Sequence, residues 1–437
     1  MKRRFLKGLF FIFLCIFISG QAVALTLPEG LKLLEERSRE LKVAQWEEAM
    51  AGNDINIARS YQLPQLRAYI NQTWLSHQPQ AKFGPFGSVP VSEKDYLTYG
   101  FRVDQLVYDF GRTGSLVEAS KHNLKMKTLE KKRLLNSLSL QFITAYFDAL
   151  EAEHLLEVSE KEVASLEAHK RDAEALFEAG VVVRNDLLQA EVMLSDAKQR
   201  HIELKNLKKI RLSVLNRMLS HDLNSEPELK EPGNLPVSLP ESLEEAWQKA
   251  TALRKELREL DESLNALRER YQSVKAEFLP RLYLSGGYEY QENRYMLHEG
   301  NWMLIAGAQM ELFSGGRTRA ELAKLKEEME RVKTEKQRLT ELIRLEVKSA
   351  FLELLSARQR VEVTKKAIEQ AEENLRLQKL RYQESVGTAT DVTDGIVLLT
   401  RAKTNYWSAL YSLRKSEAKL LYAMGIELNR VYRKGGQ

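Results

Sequence analysis

Asp391 and Asp394 stand three residues apart in a stretch without proline, a spacing that sets two carboxylates on one face of a helix. Such a pair can draw cations, and an Asp at a helix start can also cap the backbone. No other constellation in the 437-residue chain suggests chemistry: there is no P-loop, G-x-S-x-G elbow, H-E-x-x-H helix or paired-cysteine motif. The seven histidines (His77, His122, His154, His169, His201, His221 and His298) lack metal-ligand spacing and read as solvated helix residues. Most other carboxylates alternate with Lys and Arg, the pattern of solvated helix faces. Asn71-Gln72-Thr73 matches a glycosylation sequon but falls in a proposed strand. The expectation is a protein that is not an enzyme and uses no cofactor and no metal.

The elements that must carry these residues are long helices. Only 22 Gly and ten Pro occur, and seven of the prolines fall within 79–90 and 227–240. None lies in 91–226 or 281–437, so both runs can hold very long helices, whose interiors proline would break. Residues 1–24 read as a signal peptide: Lys2, Arg3, Arg4 and Lys7, an apolar run Leu9–Ile18, and a small-residue cleavage site at Ala22-Val23-Ala24. Removing those four cations leaves 62 Lys and Arg against 61 Asp and Glu, a net of +1, which argues against nucleic acid as a partner. The single cysteine, Cys15, leaves with the same segment, and Ile12-Phe13-Leu14 before it do not suit a lipoprotein site. No later run is long and apolar enough for a membrane-spanning helix, so an exported chain of this kind is periplasmic, secreted, or in the outer membrane as a barrel.

Self-similarity organises the rest. Phe110-Gly111-Arg112-Thr113 recurs as Gly315-Gly316-Arg317-Thr318. At the same offset Ala145–Leu150 matches Ala350–Leu355, Phe177 matches Tyr382, and Asp186-Leu187 matches Asp391-Val392. Leu63-Pro64-Gln65-Leu66 matches Leu279-Pro280-Arg281-Leu282 at a larger offset, so the first copy has a longer loop in between. The predicted organisation is a signal peptide (1–24), a first repeat (25–225), a Pro-rich linker (226–240) and a second repeat (241–437). Each repeat reads as helix, strand, loop, strand, very long helix, turn, helix.

Apolar and small residues step by four and three from Leu138 to Phe177 and from Ile343 to Tyr382, the pattern of a coiled-coil seam. A helix from Thr113 to Phe177 would be roughly 100 Å long, suited to a strut or tube. Strands are expected at 66–75, 97–107, 281–290 and 302–312, each alternating apolar with polar over about ten residues, with aromatics near the ends, as barrel strands in an outer membrane do. Four strands cannot close a barrel, and an open edge cannot face lipid. Three chains would supply twelve strands around one pore.

In these residues the chain resembles the TolC-like outer membrane factor family, from residue 25 to about 425. Gly111-Arg112-Thr113, Gly316-Arg317-Thr318, Phe177-Glu178-Ala179-Gly180 with Asp186–Ala190, and Tyr382 with Asp391-Val392-Thr393-Asp394 carry the likeness. The resemblance implies a mainly α fold with a membrane β-barrel, in which coiled-coil helices of a homotrimer form a periplasmic α-barrel below twelve strands. It implies a passive exit duct in the outer membrane, reaching into the periplasm, for a tripartite efflux pump or type I secretion system. Its partners would be outer membrane lipid, a periplasmic adaptor and an inner-membrane pump. Asp391 and Asp394 match an acidic ring at the pore entrance, where six carboxylates would repel and push some pKa values up. Asp186 and Tyr382 match residues that latch the closed entrance. Where some relatives carry a latch Arg this chain has Gly387, and Arg184 in the other copy is the substitute. Ser385 stands for the usual turn glycine, and Thr393 and Gly395 for a Leu and an Ala. The turns near Gly180 and Gly387 would form the periplasmic tip. The competing reading is a soluble periplasmic coiled-coil scaffold or pump adaptor without a pore, which would have no use for a lipid-facing strand surface.

Overall fold

A computed structural model describes residues 24–233, 239–384 and 386–434. The targeting segment (apart from Ala24), the middle of the Pro-rich linker and Ser385 lie outside those residues. In chain order the elements are α1 (Leu27–Arg37), α2 (Arg39–Ser60), β1 (Gln65–Trp74), β2 (Gln80–Lys82), β3 (Ser88–Pro90), β4 (Asp95–Tyr108), α3 (Arg112–Glu178) and α4 (Arg184–Met218). There follow α5 (Leu243–Leu253), α6 (Lys255–Lys275), β5 (Arg281–Gln291), β6 (Gly300–Gln309), α7 (Arg317–Gln383), α8 (Ala389–Ala423) and α9 (Leu428–Lys434). Both α3 and α7 run 67 residues, and α4 and α8 run 35. The second pair begins 205 residues after the first, Arg112 to Arg317 and Arg184 to Ala389.

Helices roughly 100 Å long depend on packing along their length rather than on propensity. Small residues supply it: Ala149, Ala152 and Ala173 of α3 and Ala350, Ala357 and Ala371 of α7 are all buried on the expected seam. Phe177, at the end of that seam, is instead exposed. The main core lies midway along the helices, where Phe142, Tyr146 and Phe147 of α3 meet Leu31 of α1, Val347 of α7 and Tyr411 of α8. Part of the expected linker is tied into this core. Leu25 forms a parallel bridge with Leu229, and the Tyr146 hydroxyl accepts from Lys230 N–H at 3.1 Å while lying 2.6 Å from its carbonyl.

The strands form one antiparallel sheet in the order β1-β4-β5-β6, which leaves β1 and β6 at its two edges. Register places Leu66 opposite Val103, Ile70 opposite Tyr99, Phe101 opposite Tyr288, and Tyr288 opposite Trp302. Paired residues share a face, so one side of the sheet is apolar over its middle, with Gln72, Asp95 and Gln105 towards its ends, and the other carries Arg67, Asn71, Arg102, Asp104 and Ser285. Trp302 and Leu304 are 77% and 75% exposed on the apolar side. Two details differ from expectation. β6 stops at Gln309, opposite Arg281 at the start of β5, where Pro280 has no N–H to extend the ladder, so Met310 and Leu312 lie beyond the strand. The loop before β4 contains a small hairpin, β2 with β3, that alternation does not signal.

Gly30 packs so closely on α3 that a Cβ there would lie 2.3 Å from the Phe142 ring. Gly30→Ala is expected to destabilise the fold by about 1–3 kcal/mol through overpacking. Phe142→Leu in the same chain should recover part of the loss, as thermal melting of the single and double variants would show.

Candidate functional site

The ends of α3 and α7 remote from the sheet turn back into α4 and α8, and the two turns lie together. Gly180 adopts a left-handed conformation (φ 74°), which glycine reaches without strain. Its N–H donates to Phe177 O and the Val181 N–H to Leu176 O, both at 2.9 Å, closing a Schellman turn. In the second copy Val386 N–H donates to Arg381 O at 2.9 Å, the equivalent bond, and Gly387 N–H reaches the same carbonyl at 3.0 Å. A small apolar cluster of Leu166, Ala197, Leu375, Tyr382, Val392 and Ile396 holds the four helices together. Thr390 Oγ1 donates to Gln189 Oε1 at 3.0 Å, joining the N-terminal parts of α4 and α8.

Asp391 has a local role. Thr388 is the N-cap of α8, and the Asp391 carboxylate accepts its N–H at 2.9 Å and its hydroxyl at 2.8 Å, completing a capping box. Those two hydrogen bonds hold the Asp391 carboxyl below its ordinary pKa within a single chain, opposite in direction to the like-charge effect expected of a ring. Asp394, one turn on, is exposed, and the half-exposed Asp391 shares its face of the helix. Between them Val392 and Thr393 point inwards, and Thr393 Oγ1 donates to Ala389 O at 3.1 Å. A Cβ at Gly395 would lie 3.1 Å from Leu375, which accounts for the smallest side chain where α7 and α8 approach.

Tyr382 and Asp186 come together but are not hydrogen bonded. Tyr382 is buried, and its hydroxyl has no partner among the described residues. Burial pushes that phenol up, with further contributions from Asp186 and Asp172. Arg184 begins α4 and is exposed.

His169 is a site residue that sequence reasoning missed. Expected to be solvated, it is only 3% exposed, because it stands three residues after Leu166 and four before Ala173, beside the seam. Its Nε2 lies 3.1 Å from Ala389 O at the start of α8, and its ring meets Tyr382 of α7 edge-on at 5.6 Å. Burial lowers its pKa. The Ala389 carbonyl and Asp172 oppose that shift, and Lys379 of α7 reinforces it. His154 is likewise no solvated residue: it stacks flat on Trp407 at 3.8 Å and bridges Glu157 and Glu231. Among the described residues no group of three or more His, Cys, Asp or Glu is arranged to hold a metal ion.

A second recurrent motif resolves at the opposite ends of the long helices. Gly111 and Gly316 precede α3 and α7 with φ of 87° and 85°, values that favour glycine. Arg112 reaches Glu277 at 2.7 Å, and Arg317 approaches the same carboxylate at 4.0 Å. The repeated Gly-Arg-Thr therefore turns each strand into its helix and joins both copies at one acidic side chain.

The family model for outer membrane efflux proteins matches residues 30–221 and 246–426. The outer membrane efflux protein BepC of Brucella suis is 22% identical over 308 residues, 70% of this chain and 66% of that protein, just under two thirds of its length. Among solved structures, the outer membrane protein VceC of Vibrio cholerae superposes with a TM-score of 0.76 at 16% identity, covering 92% of this chain and 96% of that one. The CmeC outer membrane channel of Campylobacter jejuni gives 0.75 at 17% identity, with 91% and 85% covered. At such identities these structures establish the fold.

A buried neutral His169 stabilises the tip only while it stays neutral. Because its folded pKa is lowered, that contribution is complete above about pH 6.5 and is lost as pH falls below it. Hydrogen exchange in 176–190 and 381–392, corrected for intrinsic rates, should therefore accelerate between pH 7.5 and 5.5. His169→Gln keeps a donor for Ala389 O and should remove most of the pH dependence.

Proposed function

The chain belongs to the outer membrane efflux protein family, and we propose that three copies assemble into a continuous duct, the passive exit of a tripartite efflux pump or a type I secretion system. The observation that carries this reading is the sheet: four strands, one predominantly apolar face and two edges without strand neighbours among the described residues. Four strands are half of what closes even a small barrel, and unpaired backbone groups are intolerable in lipid. Twelve strands from three chains meet both constraints and face the aromatic surface outwards. No described helix is long and apolar enough to cross a membrane, so the sheet alone serves as the membrane part. A soluble scaffold would leave Trp74, Trp302 and Leu304 exposed to water without purpose.

In this assembly α3, α4, α7 and α8 form a tunnel across the periplasm. Residues 25–225 and 241–437 act as a duplicated unit about the 226–240 linker, and each copy contributes two strands and one helix pair. The turns at Gly180 and Gly387 form the tip that meets a periplasmic adaptor and, through it, an inner-membrane pump. Asp391 and Asp394 face the axis there as an acidic ring. Tyr382, whose buried hydroxyl lacks a partner among the described residues, takes part with Asp186 and Arg184 in holding the entrance closed.

Two measurements test the duct. With Ser88→Cys and Glu178→Cys introduced separately, an impermeant thiol reagent on intact cells should label only the first; equal labelling would refute the topology. Reconstituted trimers should be cation-selective and blocked by a trivalent cation from the tip side, since convergent carboxylates concentrate such ions. Asp391→Asn with Asp394→Asn should abolish that block in a pore that still conducts. Loss of stability with the block unchanged would reduce Asp391 to its capping role.

A further inference from the structure

A second charged zone lies at the helix-proximal end of the sheet, on its polar face. Register sets Arg67 of β1 directly opposite Arg102 of β4. Like charges paired across strands destabilise a sheet, so local packing gives no reason for the arrangement. Arg67 approaches Asp104, but only at 4.0 Å, and Asp104 already accepts the Ser285 hydroxyl at 2.7 Å. Among the described residues Arg102 and Arg281 have no ion-pair partner, whereas nearby Arg112 and Arg317 are held by Glu277 and Glu311 at 2.7 and 2.9 Å. Glu289, further from the helices on the same face, receives the Tyr69 hydroxyl. A cleft of about 570 Å³ opens beside this zone, with Arg67, Asp104, Arg281, Tyr283 and Gln309 in its wall.

We propose that Arg67, Arg102 and Arg281 form an anion-holding belt on the inner wall of the barrel base, which receives carboxylate, sulfonate or phosphate groups of cargo leaving the helical tunnel. The inference rests on the duct reading, because only closure of three sheets turns the polar face inwards. Nine guanidinium groups then surround three Asp104 carboxylates in a confined passage, where one sign of charge concentrates its counter-ions. The guanidinium fork suits planar and tetrahedral oxyanions alike, and its charge persists at every physiological pH. The duct is thereby bipolar, acidic where cargo enters and basic where it reaches the membrane.

Pyrophosphate added on the extracellular side of single reconstituted channels is the probe. It should block the unmodified pore, and Arg102→Lys with Arg281→Lys should retain the block. Arg102→Gln with Arg281→Gln should raise the half-blocking concentration by about tenfold or more, since one charge-assisted hydrogen bond to an anion is worth roughly a factor of ten. Arg67→Gln should weaken the block while leaving the melting temperature unchanged or higher, because it also removes a repulsion; a purely structural arginine would lower it. Conducting pores whose block is the same in the glutamine variants would overturn the belt and leave the duct standing. Preparations that form no pores would overturn the duct, and the belt with it.

Discussion

The outer edges of β1 and β6 constrain everything else in this molecule. Each strand is ten residues long and, among the described residues, paired on one side only, so each presents a row of backbone N–H and C=O groups without strand partners there. Water can satisfy such groups and hydrocarbon cannot. The face that would meet hydrocarbon is nevertheless built for it, with Leu66, Ile70, Trp74, Trp302 and Leu304 exposed in register. Closure with further copies, as proposed, would reconcile the apolar face with the open edges.

That requirement passes to the helices through the Gly-Arg-Thr corners. A left-handed glycine before α3 and another before α7 let the chain leave a strand and enter a helix at the same angle twice. Phe110 also takes a left-handed conformation (φ 53°) where the second copy has Gly315 (φ 63°), a strained backbone accommodated beside the Tyr108 ring. Convergence of Arg112 and Arg317 on Glu277 ties the two corners together, so the copies enter their long helices as one body. Small residues along the seam then let α3, α7 and their partners stay close for the whole length.

At the far end, local helix chemistry engages side chains for which assembly roles are proposed. Asp391 is partly engaged in capping α8, which anchors its position and lowers its pKa, while Asp394 remains exposed. His169 and Tyr382 are buried one layer deeper, the first facing the Ala389 carbonyl and the second without a hydroxyl partner among the described residues. A buried polar group without a partner is costly, which sets Tyr382 apart from the apolar side chains packed around it.

Much of the architecture was legible in the residues because it depends on periodicity and punctuation. The 205-residue offset, the proline-free runs, the alternating strands and the stepped seam are one-dimensional signals, and each corresponds to an element of the structure. What the sequence hid depends on contacts between distant segments. The hydrogen bond between Thr390 and Gln189, the burial of His169 beside the seam and the shared use of Glu277 by two arginines arise only when helices and corners are brought together. The register that sets Arg67 against Arg102 is of the same kind, since a shift of one residue would place them on opposite faces. Sequence alone determined the elements, their repetition and their amphipathic faces, because spacing along a chain dictates which side chains share a face. Tertiary structure decided which charges meet, which polar groups are buried and which are left unpaired, because those depend on distances that no local pattern encodes.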